Sequence, residues 1–207
     1  MTPNYLHDRN DFSQLIEITA SEEKIDDPSL VEKDYWIMHC LYGLNFNGLQ
    51  FELKGGTSLS KGFNIIDRFS EDIDIRIEPP ESMAVSTGRN QDKPAHMESR
   101  RRYYDWLAST IQIDGIHKVE RDIEYDDAKF RSGGIRLRYN ELTKNNTGLK
   151  EGVLLEVGFD VVTPNMPQDI SSWLYDYAAG KLPLIDNRAL AVKCYNPGYT
   201  LVEKLHA

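Results

Sequence analysis

At 207 residues, 40% of them apolar and 28% charged, the chain can bury a core without disulfide or metal staples and has an ordinary globular composition. Its net charge of -9 argues against indiscriminate coating of nucleic acid, which needs a basic field, though a local basic patch stays compatible with it. No apolar run reaches membrane-span length or resembles a signal peptide, and Cys40 and Cys194 form no CxxC pair, so a cytoplasmic protein without a membrane partner is expected. In chain order, a first helix is predicted over Asp11 to Glu23, with Phe12, Leu15, Ile16 and Thr19 on one face. A second starts at Pro28 and Ser29, where Ser29 and Glu32 have capping-box spacing, and runs to Leu44 on a stripe of Val31, Tyr35, Met38, Leu41 and Tyr42. Gln50 to Lys54 reads as a strand broken by Gly55 and Gly56, Thr57 to Ile66 as a helix of about three turns, and Asp72 to Ile77 as a second strand. A polar loop follows Pro79-Pro80, then a helix over Pro94 to Ile113 with Tyr104, Leu107 and Ile111 inward. His117 to Tyr125, Gly134 to Asn140 and Gly152 to Val162 read as strands joined by turns at Ser132-Gly133 and Asn145-Asn146. Ser171 to Ala179 reads as a short helix, and a last helix starts at Thr200, which has capping-box spacing to Glu203.

Chemistry concentrates in FELKGGTSLSKGFNIIDRFSEDIDIRI, Phe51 to Ile77. Side chains alternate across a strand, so Asp72 and Asp74 share one face while Ile73, Ile75 and Ile77 take the other. Two such carboxylates repel unless a cation lies between them, and Mg²⁺ prefers this kind of oxygen donor; a solvated acidic face is the plainer explanation. The upstream turn favours the first reading. Gly55 and Gly56 leave a backbone open to a ligand, and they precede Thr57, Ser58 and a helix N-terminus, where amides and dipole favour phosphate. The order points to phosphoryl or nucleotidyl transfer, which needs a third carboxylate. LLEVGFDVV offers Glu156 and Asp160 on one strand face, with Leu155, Val157, Phe159 and Val161 on the other; Glu156 is preferred because it sits mid-strand. Arg68 either pairs with Glu71 or meets phosphate, Lys61 is expected to be exposed, and Lys33 and Asp34 are expected to pair with one another. Arg100, Arg101 and Arg102 form one basic cluster and Arg131, Arg136 and Arg138 another; each is a solvated surface or a track for an RNA backbone. The five histidines have no metal-ligand spacing, and neither GxSxG nor a Walker A sequence occurs.

KGGTSLSKGF followed by RFSEDIDI resembles the AbiEii/AbiGii-type nucleotidyltransferase toxins, a branch of the DNA polymerase β-like superfamily. VEKDYWI at Val31 to Ile37 is similar to the family's N-terminal helix motif, and the closing LVEKLHA to its later EKL helix motif. The resemblance implies an α+β polymerase β-like fold, a mixed β-sheet flanked by helices. It implies transfer of an NMP from an NTP to an acceptor, RNA such as a tRNA end, by a toxin with a separate antitoxin protein. By the same resemblance Gly55, Gly56, Thr57 and Ser58 embrace the triphosphate, Asp72 and Asp74 bind Mg²⁺ or Mn²⁺, Glu156 completes the triad, and Lys204 approaches the nucleotide phosphates. The family's RDxxD-like helix would lie beyond the EKL segment, so residues 1–199 are expected to form the transferase domain and 200–207 the start of a longer helical region.

The mechanism expected is an in-line displacement at two metal ions roughly 3.5–4 Å apart, with Glu156 as ligand or proton acceptor. Two other readings use the same residues. One is a nucleotide-binding module without turnover; the other is a metal-dependent phosphohydrolase or nuclease, which the glycine turn suits less well.

Overall fold

The computed structural model describes residues 2–144 and 148–206, with side chains through residue 202. Its centre is an antiparallel pair, β1 (Phe51–Lys54) against β2 (Asp72–Ile77). On β2 the DIDIRI alternation buries Ile73, Ile75 and Ile77 and leaves Asp72, Asp74 and Arg76 on the opposite face. Five further strands extend this pair: β3 (Ile116–Asp122), β4 (Ser132–Tyr139), β5 (Val153–Gly158), β6 (Asn165–Ile170) and β7 (Ala189–Tyr195). The described residues form a seven-stranded sheet in the order β3-β4-β5-β2-β1-β7-β6. Pairing is parallel at β2–β5 and β1–β7 and antiparallel elsewhere, giving the mixed sheet expected.

Helix α1 (Phe12–Glu23) has the predicted bounds within one residue and buries Phe12, Leu15, Ile16, Thr19 and Ala20. Helix α2 (Pro28–Phe46) differs from its expected single stripe: every residue from Val31 to Leu41 is buried. The reason is position. The sheet lies on one side of α2, while α1 and α5 (Trp173–Ala178) pack on the other. The capping box at Ser29 does not form; Asp27 is the cap, its carboxylate accepting from the Ser29 amide at 2.9 Å, and Glu32 is used elsewhere. Helix α4 (Pro94–Thr110) packs on β3 and β4 and buries Tyr103, Tyr104 and Leu107.

The segment after the glycines is shorter than predicted. Gly55 and Gly56 lie inside a three-residue turn, α3 (Gly55–Thr57), which passes into a π turn over Ser58–Gly62. A side chain at Gly62 would meet Cys194 Sγ at 2.8 Å, and Asn64 then takes a left-handed φ of 51° that ends the helical path. Ser132-Gly133 belongs to β4 instead of a turn, and Asn145-Asn146 lies outside the described residues. Val161, expected on a core face, is 70% exposed because β5 stops at Gly158. Helix α6 (Pro197–His206) starts ahead of the predicted Thr200, where Asn196 Oδ1 accepts from the Gly198 amide at 3.0 Å. No described helix is long and apolar enough to cross a membrane.

Candidate active site

The register of β2 against β5 decides which acids meet. Asp74 lies opposite Glu156 and Asp72 opposite Leu154, so all three carboxylates stand on one face of two adjacent strands. Asp160 falls beyond the end of β5 and is exposed, so the structure brings Glu156, and not Asp160, to the pair. Glu156 is half-buried. Burial pushes its carboxyl above the ordinary range, and the charges of Asp74 and Asp72 push it further. Asp74 also shares a hydrogen bond with Glu156. Asp72 is turned toward a cation that no motif or periodicity singles out: Lys150 Nζ is 2.7 Å from Asp72 Oδ2. The other oxygen, Asp72 Oδ1, is buried without a hydrogen-bond partner. Burial works against the Lys150 charge, but Asp72 and Tyr125 together lift the ammonium above its usual range.

The glycine turn abuts these acids. Gly55 has φ 69°, and a Cβ there would sit 2.0 Å from Asp74 Oδ2, so only glycine lets the backbone approach the carboxylate this closely. A Cβ on Gly56 would meet Ser70 Oγ at 2.6 Å and Arg68 Nη2 at 3.7 Å. Thr57 and Ser58 are fully buried. Thr57 Oγ1 donates to the Asp72 carbonyl and bonds Ser70 Oγ at 3.1 Å, which braces the turn against β2. Arg68 is exposed and makes no ion pair with Glu71 among the described residues. Beside the turn opens a cleft of about 470 Å³, with Lys61, Arg68 and Ser70 on one side and Trp173 and Asp176 on the other. Lys204 lies on α6, and its side chain is outside those described.

Three consecutive charged residues of α2 hold the loops around this face. Glu32 accepts from the amides of Leu142 and Thr143, both at 2.9 Å, and from Thr143 Oγ1 at 2.5 Å. Lys33 donates to the Lys150 carbonyl at 2.8 Å and to that of Gly152, and stands 4.0 Å from Glu71. Asp34 forms an ion pair with Lys61 Nζ at 2.6 Å and accepts from the Trp173 amide at 2.9 Å. The expected Lys33–Asp34 pair and the exposed Lys61 are therefore both corrected. Neighbours on a helix point in different directions, so adjacent charges find different partners. Burial lowers the Lys33 ammonium to about 8 and raises the carboxyls of Glu32 and Asp34.

The basic clusters are corrected in part: Arg100 and Arg136 are buried, while Arg101 and Arg102 stay on the surface. Arg100 is fully buried and donates to the carbonyls of Ser86, Gln91 and Lys129. Arg101 pairs with Glu98 at 2.6 Å and with Asp105 at 2.8 Å. Arg131, Arg136 and Arg138 pair with Asp92, Asp122 and Glu151 at 2.7, 2.6 and 2.7 Å. Carbonyls and carboxylates of the protein thus engage five of these six guanidinium groups, while Arg102 is exposed as a solvated surface residue.

Asp72, Asp74 and Glu156 present only oxygen donors, with one buried oxygen unpartnered, a donor set that fits Mg²⁺ or Mn²⁺. Among the described residues, the group of three whose donor atoms all lie within 4.8 Å of one another is instead His7, Asp8 and Asp114. There the His7 ring is already hydrogen-bonded at both nitrogens, to Tyr35 Oη at 2.7 Å and Asp114 at 2.8 Å.

Residues 38–207 match the family model described as "Nucleotidyl transferase AbiEii toxin, Type IV TA system"; the VEKDYWI segment lies ahead of the matched stretch. Among solved structures, the nucleotidyltransferase toxin MenT4 of Mycobacterium tuberculosis H37Rv is similar, with a TM-score of 0.54 and 18% identity. The likeness covers 92% of this chain and 57% of that one, and at this identity it is a likeness of fold. No curated protein matches.

Proposed function

This chain belongs to the AbiEii nucleotidyltransferase toxin family, and from that premise we propose that it transfers an NMP from an NTP to an acceptor at Asp72, Asp74 and Glu156. The acceptor is RNA, with a tRNA end as the first candidate, and the setting is a cytoplasmic type IV toxin–antitoxin pair with a separate antitoxin protein. The observation that carries the reading is the pairing of Asp74 with Glu156, with Gly55 backed directly onto Asp74.

Asp72, Asp74 and Glu156 would hold Mg²⁺, or Mn²⁺ in its place. The bound ion supplies Lewis-acid neutralisation of phosphate charge and lowers the pKa of the acceptor hydroxyl. Gly55 and Gly56 offer a side-chain-free wall for the triphosphate, and Thr57 and Ser58 contribute backbone, since their side chains face inward. Arg68, exposed and lining the cleft, supplies a guanidinium for the leaving pyrophosphate. Lys204 is proposed to reach the same phosphates. Glu156 is proposed as a ligand of the ion or as the acceptor of the hydroxyl proton.

The test is incubation with each α-labelled NTP, Mg²⁺ and total tRNA. Label moving onto RNA is expected, together with its loss in the Asp72→Asn, Asp74→Asn double variant. Normal transfer by that variant would overturn the assignment. Retained nucleotide without product would indicate the binding module, and free phosphate or cleaved RNA the hydrolase.

A further inference from the structure

We propose that Lys150 permanently holds one of the two cation positions beside Asp72, so that the protein's acids take a single divalent ion, on the Asp74–Glu156 side. This rests on the reading that these acids bind a divalent cation, and it changes the count from two ions to one.

The first ground is contact. Lys150 Nζ is 2.7 Å from Asp72 Oδ2, where a second ion would have to bind. A divalent ion ligated by that oxygen at about 2.0–2.1 Å would lie against the ammonium and be repelled by it. The second ground is anchoring. The Lys150 amide donates to Glu71 at 2.8 Å, and its carbonyl accepts from Lys33 Nζ at 2.8 Å. Lys33 is itself 1% exposed and tied also to Gly152, so the anchor is buried. Beyond the backbone, Lys150 Nζ lies 5.2 Å from the centre of the Tyr125 ring, a cation–π contact that guides the side chain toward Asp72. Both backbone groups of Lys150 and its side chain are thus engaged in one orientation.

Charge gives the third ground. Before substrate enters, one divalent ion and one ammonium together balance the three carboxylates. Two divalent ions beside the ammonium would leave the site over-compensated. Asp72 Oδ1, buried and without a hydrogen-bond partner, remains for the single ion shared with Asp74 and Glu156.

Metal counting tests this without reference to turnover. The protein is titrated with Mn²⁺ alone, and free Mn²⁺ is followed by electron paramagnetic resonance. Wild type is expected to bind one Mn²⁺ per chain, lost in Asp74→Asn. Lys150→Met is expected to bind a second, and Lys150→Arg to keep one. The Lys150 side chain is 37% exposed, so trimming it leaves the core intact, which circular dichroism checks. Two ions in wild type, or an unchanged count in Lys150→Met, would overturn the proposal. Absence of any Asp74-dependent Mn²⁺ would be a different failure, that of the acid site itself, and would remove the proposal with it.

Discussion

The molecule carries two short acidic stretches with opposite treatment. In α2, Glu32, Lys33 and Asp34 are at most 2% exposed, and each makes at least two polar contacts to a different loop. On β2 and β5, Asp72, Asp74 and Glu156 remain partly open, gather like charges, and have one ammonium among them. A buried charge costs several kcal/mol unless its partners replace water, and the α2 turn meets that requirement. The strand acids do not meet it, so their arrangement works against stability and is kept for something else. Satisfied charge marks scaffold; concentrated and under-compensated charge marks the candidate site.

Removing a charge from each stretch should therefore move different observables. Glu156→Gln is expected to lower transfer by roughly a thousandfold, about 4 kcal/mol of barrier, while its thermal midpoint holds or rises as repulsion with Asp74 is relieved. A fall in midpoint with transfer intact would reverse the comparison. Asp34→Ala is expected to lose about 3 kcal/mol of stability, because Lys61 is left without its carboxylate and the Trp173 amide without its acceptor. Urea unfolding measures this, and a loss within ~0.5 kcal/mol would class Asp34 with ordinary surface positions.

Much of this contrast is legible in sequence, and the remainder has identifiable causes. DIDIRI announces β2 to the residue, since period-two alternation between isoleucine and charge has one physical solution. The glycine turn and the choice of Glu156 follow from the same logic. By contrast, β6 and β7 escape it. β6 reads NMPQDI, polar and carrying Pro167, which a sheet tolerates at the edge where β6 lies. The charges of α2 look like surface because burial on the outer side is imposed by other helices, α1 just before it and α5 far along the chain. Arg100 is hidden for a similar reason, enclosed by carbonyls of two loops. Lys150 sits in a loop without periodicity, and only the fold carries it to Asp72.

The glycine turn sharpens the boundary between the two regions. Gly55→Ala should cost about 1–2 kcal/mol from the left-handed φ alone, and the new methyl would have to displace Asp74 Oδ2. Both midpoint and transfer should fall, the one position where stability and activity move together. A variant equally stable but inactive would mean that the contact with Asp74 matters and the backbone strain does not.

The smallest effect concerns a buried polar group on α2 that the protein keeps neutral. His39 Nδ1 accepts from the Asn187 amide at 2.8 Å, and Nε2–H donates to the Asp114 carbonyl at 3.0 Å, so an added proton would face a donor. Burial, helped by neighbouring His7, lowers the ring to about 4 from 6.5. The unfolded chain therefore binds more protons than the folded one between those values, and stability falls as pH drops through them. Between pH 7 and pH 6 the loss from this group should be roughly 0.7 kcal/mol, steepening below and absent well above pH 6.5. His39→Gln, which cannot titrate, should flatten that part of the urea-midpoint profile. An unchanged slope would show that His39 takes up its proton while folded, as an exposed histidine would, and would remove it from the satisfied interior that the α2 charges define.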